Sequence, residues 1–379
     1  MIKHKNTMIL IDESLENDHR VLNVIDACLT KSDIIDCSKS NSNSITLKKL
    51  FIINIFFLIK CIFLIPFYWL KLYQSYRLKP SAILAGLKYS LKAKYMAKKM
   101  YKKLKNEYRG NTIKAVYAND LNCGLLGINL SRYFKVPLIY DAHEVEFHRN
   151  RKNSLFRVVC DLLFEQKVIN VAKKVIVVNR PIKMLYMDIY NIPESKITII
   201  NNNFFAPHMG RANIMSYENI NEIAIVYVGE GIKGRKLESL GLDCSQTNAK
   251  VHGFFLSRTP DIAYEYNWIL GSTDYLLELL ELIKKKRSIM WCCTDDTCLS
   301  YRLSLPNKFF QAIAVGIPVI AYKETYLAEI VQEYSLGYIY DDNNFKEIAE
   351  KLRDPKKYYT LLESIALFQE KIFIEKLEL

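Results

Sequence analysis

"IKAVYANDLNCGLLGINLSRYFKVPLIYDAHE", residues 113–144, changes its periodicity twice. "IKAVYAND" (113–120) reads as a short apolar strand that ends in polar residues, "LLGINLSRYF" (125–134) as a helix, and "VPLIY" (136–140) as a second strand. Two strands joined through a helix imply a parallel pair, because parallel neighbours need a crossover connection. Both strands run out into polar side chains: Asp120 after the first, and Asp141, His143 and Glu144 after the second. Ligands of open parallel sheets bind beyond the carboxyl ends of the strands, so these residues are placed where chemistry is expected.

The alternation continues outward. Strands are expected at "TMILI" (7–11), "DIIDC" (33–37), "KKVIVVN" (173–179) and "KITIINN" (196–202), with helices over 18–29, 155–170 and 181–190. Pro181 fits a first helical turn, where its missing N–H costs nothing. The pattern then restarts with strands at "NEIAIVYVGE" (221–230), "KVHGFF" (250–255), "SIMWCC" (288–293) and "IPVIAY" (317–322), and helices at 306–316, 326–334 and 345–375. Short apolar strands between helices imply parallel sheets covered on both faces. The expected fold is therefore α/β, with two doubly wound Rossmann-like domains facing each other across a cleft. The first covers 1–205, the second 221–355, and helices in 356–379 could pack back on the first.

The chain has 379 residues, 50% of them hydrophobic and 25% charged, an ordinary globular composition. Its nine cysteines contain no Cys-x-x-Cys pair, and "WCCTDDTC" (291–298) lacks zinc-ribbon spacing, so reduced thiols are expected. The formal net charge of +13 is concentrated: residues 60–109 hold thirteen Lys and Arg against one acid, Glu107. Ahead of the main run of cations lies "LFIINIFFLIKCIFLIPFYWL" (50–70), long enough to span a bilayer but interrupted by Asn54, Lys60 and Pro66. With strands of one sheet expected on both sides of it, a surface-lying segment is favoured: an insertion over about 48–109 whose apolar face enters the membrane boundary and whose lysines meet anionic headgroups. A core helix followed by a solvated Lys-rich helix is the alternative. No nucleic-acid recognition motif occurs.

"HEVEFH" (143–148) invites a metal reading, but His143 and His148 are five apart, whereas a zinc protease helix needs them four apart. No metal site is expected.

Four stretches taken in order resemble the GT-B fold glycosyltransferases of family 4: "NDHRVLNVIDACL" (17–29), residues 116–147, "AIVYVGEGIKGRKLESL" (224–240) and "SLPNKFFQAIAVGIPVIAYKETYLAEIV" (304–331). The resemblance implies a retaining transfer of a sugar from a nucleotide-sugar donor to a saccharide acceptor. It implies donor contacts at Gly229, Arg235, Lys236, Asn307, Lys308 and Gln311, a catalytic role for His143 beside the transferred sugar, and acceptor or sugar contacts at Asp120, Asp141 and Glu144. No cofactor or metal is implied; the partners would be a nucleotide sugar, a lipid-linked glycan and an anionic membrane surface, with no nucleic acid. The place of action would be the cytoplasmic side, peripheral on the inner face of the plasma membrane.

Two departures stand out. The family often carries two glutamates eight positions apart; here those positions hold Leu303 and Gln311. A Gly-rich loop after the first strand is replaced by "IDESLEND". A sugar-nucleotide 2-epimerase and a non-catalytic membrane-bound subunit of the same fold are therefore alternatives.

Overall fold

A computed structural model describes residues 7–11, 33–36, 63, 97–149, 155–202, 223–247, 249–255, 267–270 and 286–374. The helix expected over 18–29 and nearly all of the apolar stretch 50–70 lie outside the described residues. Phe63 is helical and exposed. Among the described residues no helix is long and apolar enough to cross a membrane.

The chain divides into two compact units. One takes in Met1–Asn201 with the short stretch Cys298–Ser300; the other takes in Asn202–Thr297 and Tyr301–Leu379. In the first, β1 (Thr7–Ile11), β2 (Asp33–Asp36), β3 (Ala115–Asn119), β4 (Leu138–Ala142), β5 (Lys174–Val177) and β6 (Ile197–Ile199) form a parallel sheet in the order β2-β1-β3-β4-β5-β6. The second repeats the plan with β7 (Ile223–Gly229), β8 (Ala249–Phe255), β9 (Asn267–Leu270), β10 (Arg287–Trp291), β11 (Val319–Tyr322) and β12 (Gly337–Tyr340), in the order β12-β11-β10-β7-β8-β9.

Each order reverses direction once, between β1 and β3 and between β7 and β10. The crevice at such a reversal is where this architecture takes its ligands. The strands are nearly uniform in burial: Ile223–Val228 and all of β10 are buried, as two covered faces require.

Apart from the helix over 18–29, the expected strands and helices of the first unit are present within a few residues. The helix after β3 starts earlier than its apolar stripe, covering Asp120–Phe134, with Asp120 at a left-handed φ of 62°. β9 and β12, both sheet edges, were not expected. The helix Pro355–Ile374 inserts Tyr358, Leu362, Ile365, Phe368 and Ile372 into the core of the second unit. It is fixed there by the Tyr358 hydroxyl, which donates to Ser288 O at 3.0 Å and accepts from Ser288 N at 3.1 Å. This helix belongs to the second unit.

Gly337 shows how tightly β12 lies on β11. A Cβ there would stand 1.8 Å from the carbonyl oxygen of Val319, a backbone atom that cannot yield without shifting the strand. Gly337→Ala is expected to cost about 2 kcal/mol or more, the range of overpacked cores, seen as a lowered midpoint in urea unfolding.

Candidate functional site

The reversal in the second sheet gathers a cationic site. β7 ends at Gly229, whose φ of 135° is a conformation that side chains disfavour. A Cβ on Gly229 would also stand 3.3 Å from the Tyr227 hydroxyl, which donates to Glu230 O at 2.6 Å. The turn that follows is held by main-chain contacts: Asp295 N donates to Gly234 O at 2.9 Å, and Trp291 Nε1 to Arg235 O at 3.0 Å. The Arg235 guanidinium lies 4.7 Å from the centre of the Tyr301 ring.

Lys308 comes to the same place from the helix Asn307–Val315. Its ammonium is buried, has no hydrogen-bond partner among the described residues, and sits 4.4 Å over the Tyr227 ring. Burial, and then repulsion from Arg235, lowers Lys308 to about 7, with Cys292 and Cys293 acting weakly in the other direction. Burial holds Cys292 up at about 12, so that thiol stays neutral and cannot compensate the ammonium. The Lys308 helix has Pro306 at its N-cap and no side-chain cap, so its first turn keeps the positive end of the helix dipole available to an anion. Two cations, one without a partner among the described residues and one over an aromatic ring, have the charge and placement that suit a multiply charged anion.

Of the six donor residues expected from sequence, Gly229, Arg235 and Lys308 meet here. Gln311 is buried one turn further along the same helix. Asn307, its first residue, is exposed. Lys236 is committed elsewhere: its Nζ lies 2.9 and 3.0 Å from the two carboxylate oxygens of Asp342. Tyr227 and Tyr301 were missed. Tyr227 had a signal, since it stands two positions before Gly229 and so faces the same side of the strand.

The carboxyl ends of β3 and β4 in the first unit gather the other expected residues around Arg149, which the sequence did not single out. Its guanidinium reaches Asp120 at 3.2 Å, Glu144 at 3.2 Å and Glu146 at 3.0 Å. Burial would push Asp120 up, but Arg149 and His143 together bring it down to about 2. Burial, with Asp120 nearby, drives Glu146 well above the carboxylate range. Asp141 is fully buried at the end of β4, where the Tyr117 hydroxyl donates to it. It lies in a strand and caps no helix. His143 Nε2 is 3.5 Å from the same carboxylate.

Beneath this loop a buried carboxylate, Glu165, accepts from the hydroxyls of Tyr140 at 2.8 Å, Tyr186 at 2.5 Å and Tyr190 at 2.5 Å. The Tyr186 hydroxyl also lies 3.2 Å from Glu144 O, which ties the loop to the helix below. Burial lowers His148 to about 4, and its Nδ1 accepts from Leu299 N at 2.8 Å, in the short stretch that belongs to this unit. Among the described residues no group of three His, Cys, Asp or Glu is placed to hold a metal ion.

No protein-family model matches the chain, and no curated protein matches it by sequence. Solved structures do. The chain is 11% identical to HepE from Anabaena in complex with UDP and glucose, with a TM-score of 0.58 over 98% of this chain and 96% of that one. It is 11% identical to the apo form of the lipopolysaccharide outer core galactosyltransferase WaaB, with a TM-score of 0.52 over 98% and 100%. A sucrose-phosphate synthase from Thermosynechococcus elongatus is 16% identical, with a TM-score of 0.54 over 74% and 75%. At these identities the likeness is one of fold: two doubly wound α/β units, as in GT-B glycosyltransferases.

Proposed function

We propose that the chain is a glycosyltransferase of the retaining family-4 type. It would move a hexosyl group from a nucleotide sugar to a lipid-linked saccharide during surface polysaccharide or lipopolysaccharide assembly. One observation carries this reading: a buried Lys308, without a hydrogen-bond partner among the described residues, beside Arg235 at the strand-order reversal of the second unit. A diphosphate is the natural occupant of such a site. Departure of a nucleoside diphosphate from the anomeric carbon concentrates negative charge on its terminal phosphate. A guanidinium and an ammonium already in place stabilise that charge with little reorganisation. The complex of HepE with UDP and glucose is in keeping with a nucleotide-sugar donor.

In the first unit, His143 beside Asp141 would steady positive charge at the sugar or bind its hydroxyls, and Asp120 and Glu144 would accept from acceptor hydroxyls. With Asp120 held ionised, the loop offers hydrogen-bond acceptors at neutral pH. Gln311 keeps an amide oxygen able to accept one hydroxyl, weaker than the carboxylate it replaces.

Purified protein incubated with a panel of nucleotide sugars tests the reading. Donor hydrolysis or transfer supports it. A free epimer indicates the 2-epimerase. Loss of the family's glutamate pair favours a non-catalytic subunit as the second reading, and silence with every donor would select it.

A helix over 97–107 supports a lipid-linked acceptor at a membrane surface. Ala97 and Leu104 are buried, while Lys98, Lys99, Lys102 and Lys103 are exposed. Each such lysine near an anionic leaflet contributes about 1 kcal/mol. Changing these four to glutamate is expected to release the protein from phosphatidylserine vesicles in a flotation assay; unchanged retention refutes the membrane role.

A further inference from the structure

Lys236 follows Arg235 directly, and the sequence resemblance implies a donor contact there. Its surroundings in the structure argue for a different role. The ammonium lies 2.9 and 3.0 Å from the two oxygens of Asp342, and 4.1 Å from the centre of the Tyr322 ring. The Tyr322 hydroxyl donates to the same carboxylate at 2.7 Å. Lys236 and Asp342 adopt φ of 54° and 77°, a backbone region that side-chain-bearing residues populate only when their surroundings hold them.

Three consecutive residues are therefore pinned by four different groups: Gly234 through Asp295 N, Arg235 through Trp291 Nε1, and Lys236 through Asp342 and Tyr322. The middle residue of the three carries the guanidinium.

We infer that Lys236 is a positioning residue: with Asp342 and Tyr322 it forms a latch that presets the loop bearing Arg235 for a nucleoside diphosphate. The inference rests on the functional reading above. An ammonium already shared by a bidentate carboxylate and a hydroxyl-bearing ring has little to offer a phosphate. What the pair supplies is geometry, since a fixed loop spares the ordering cost of binding.

Calorimetric titration with UDP, GDP and ADP decides it. Asp342→Asn and Lys236→Met should each weaken the nucleotide that wild type binds by about five-fold, what a partly exposed ion pair can transmit. The double variant should be no weaker than either single, because both break one latch. Tyr322→Phe should lose about two-fold, one supporting hydrogen bond out of several, and it keeps the test open if a charge variant fails to fold.

A direct phosphate contact by Lys236 makes the opposite forecast: Asp342→Asn would free the ammonium and tighten binding, while Lys236→Met would weaken it far more. Either result overturns the latch, as do unchanged affinities in all three variants. Wild type binding none of the three nucleotides overturns the functional reading, and the latch with it.

Discussion

Lys308→Met is expected to lower affinity for the nucleoside diphosphate by about 100-fold, the cost of removing one partner from a desolvated charge contact. The same variant should be more stable than wild type without ligand. Burial first, and Arg235 second, lower Lys308 from 10.5 to about 7. The folded value lies below the unfolded one, so between those values the unfolded chain binds more protons and stability rises with pH. Below about pH 7 the folded chain must keep a buried, unpaired ammonium, and methionine relieves that cost. A thermal melt at pH 6 should therefore show the variant melting higher. Loss of binding together with a gain in stability is what a ligand site held in an unfavourable state produces.

The pH dependence of binding follows from the same group. A bound diphosphate favours the ammonium and raises its pKa. Between the free value near 7 and the higher bound value, binding takes up a proton. Affinity should fall as pH rises above about 7, by at most tenfold per unit.

Arg235→Ala is expected to reduce kcat/KM by roughly two orders of magnitude, about 3 kcal/mol of transition-state stabilisation. Arg235→Lys should recover only part of this. An ammonium cannot bind two phosphate oxygens in one plane, and it lacks the planar, delocalised group that suits the place over the Tyr301 ring, 4.7 Å from its centre. Steady-state kinetics on the donor found active in the nucleotide-sugar panel measure both. A fully active Arg235→Lys variant would mean that charge alone, without planarity, accounts for the role.

Much of this candidate site is legible in the sequence. Strand–helix alternation gives two parallel sheets, and the order of elements puts Gly229, Arg235 and Lys308 at strand ends and in the first turn of a helix. The residues that tune them were not. Tyr301 reaches Arg235 from 66 positions away, and Asp342 reaches Lys236 across 106. Neither distance leaves a trace in local periodicity. Arg149 was hidden differently: it follows "YDAHEVEFH" closely, but only the 3-10 turn Glu146–His148 swings it back onto Asp120, Glu144 and Glu146. The unexpected strands "NWIL" and "GYIY" are four-residue edges, too short to display a period of two. Their pairing with β8 and β11 settles them, and local sequence does not carry that information.

Central to the proposed function is Lys308, a cation without a partner among the described residues that a diphosphate completes. Titrating wild type and Lys308→Met with the bound nucleoside diphosphate at pH 8, in two buffers of different ionisation enthalpy, reads this as protons exchanged. Wild type should take up close to one proton per nucleotide, as expected for a group near 7 driven fully to its charged form, and the variant should take up none. Tight binding by wild type without proton uptake, or the same uptake in the variant, would contradict it.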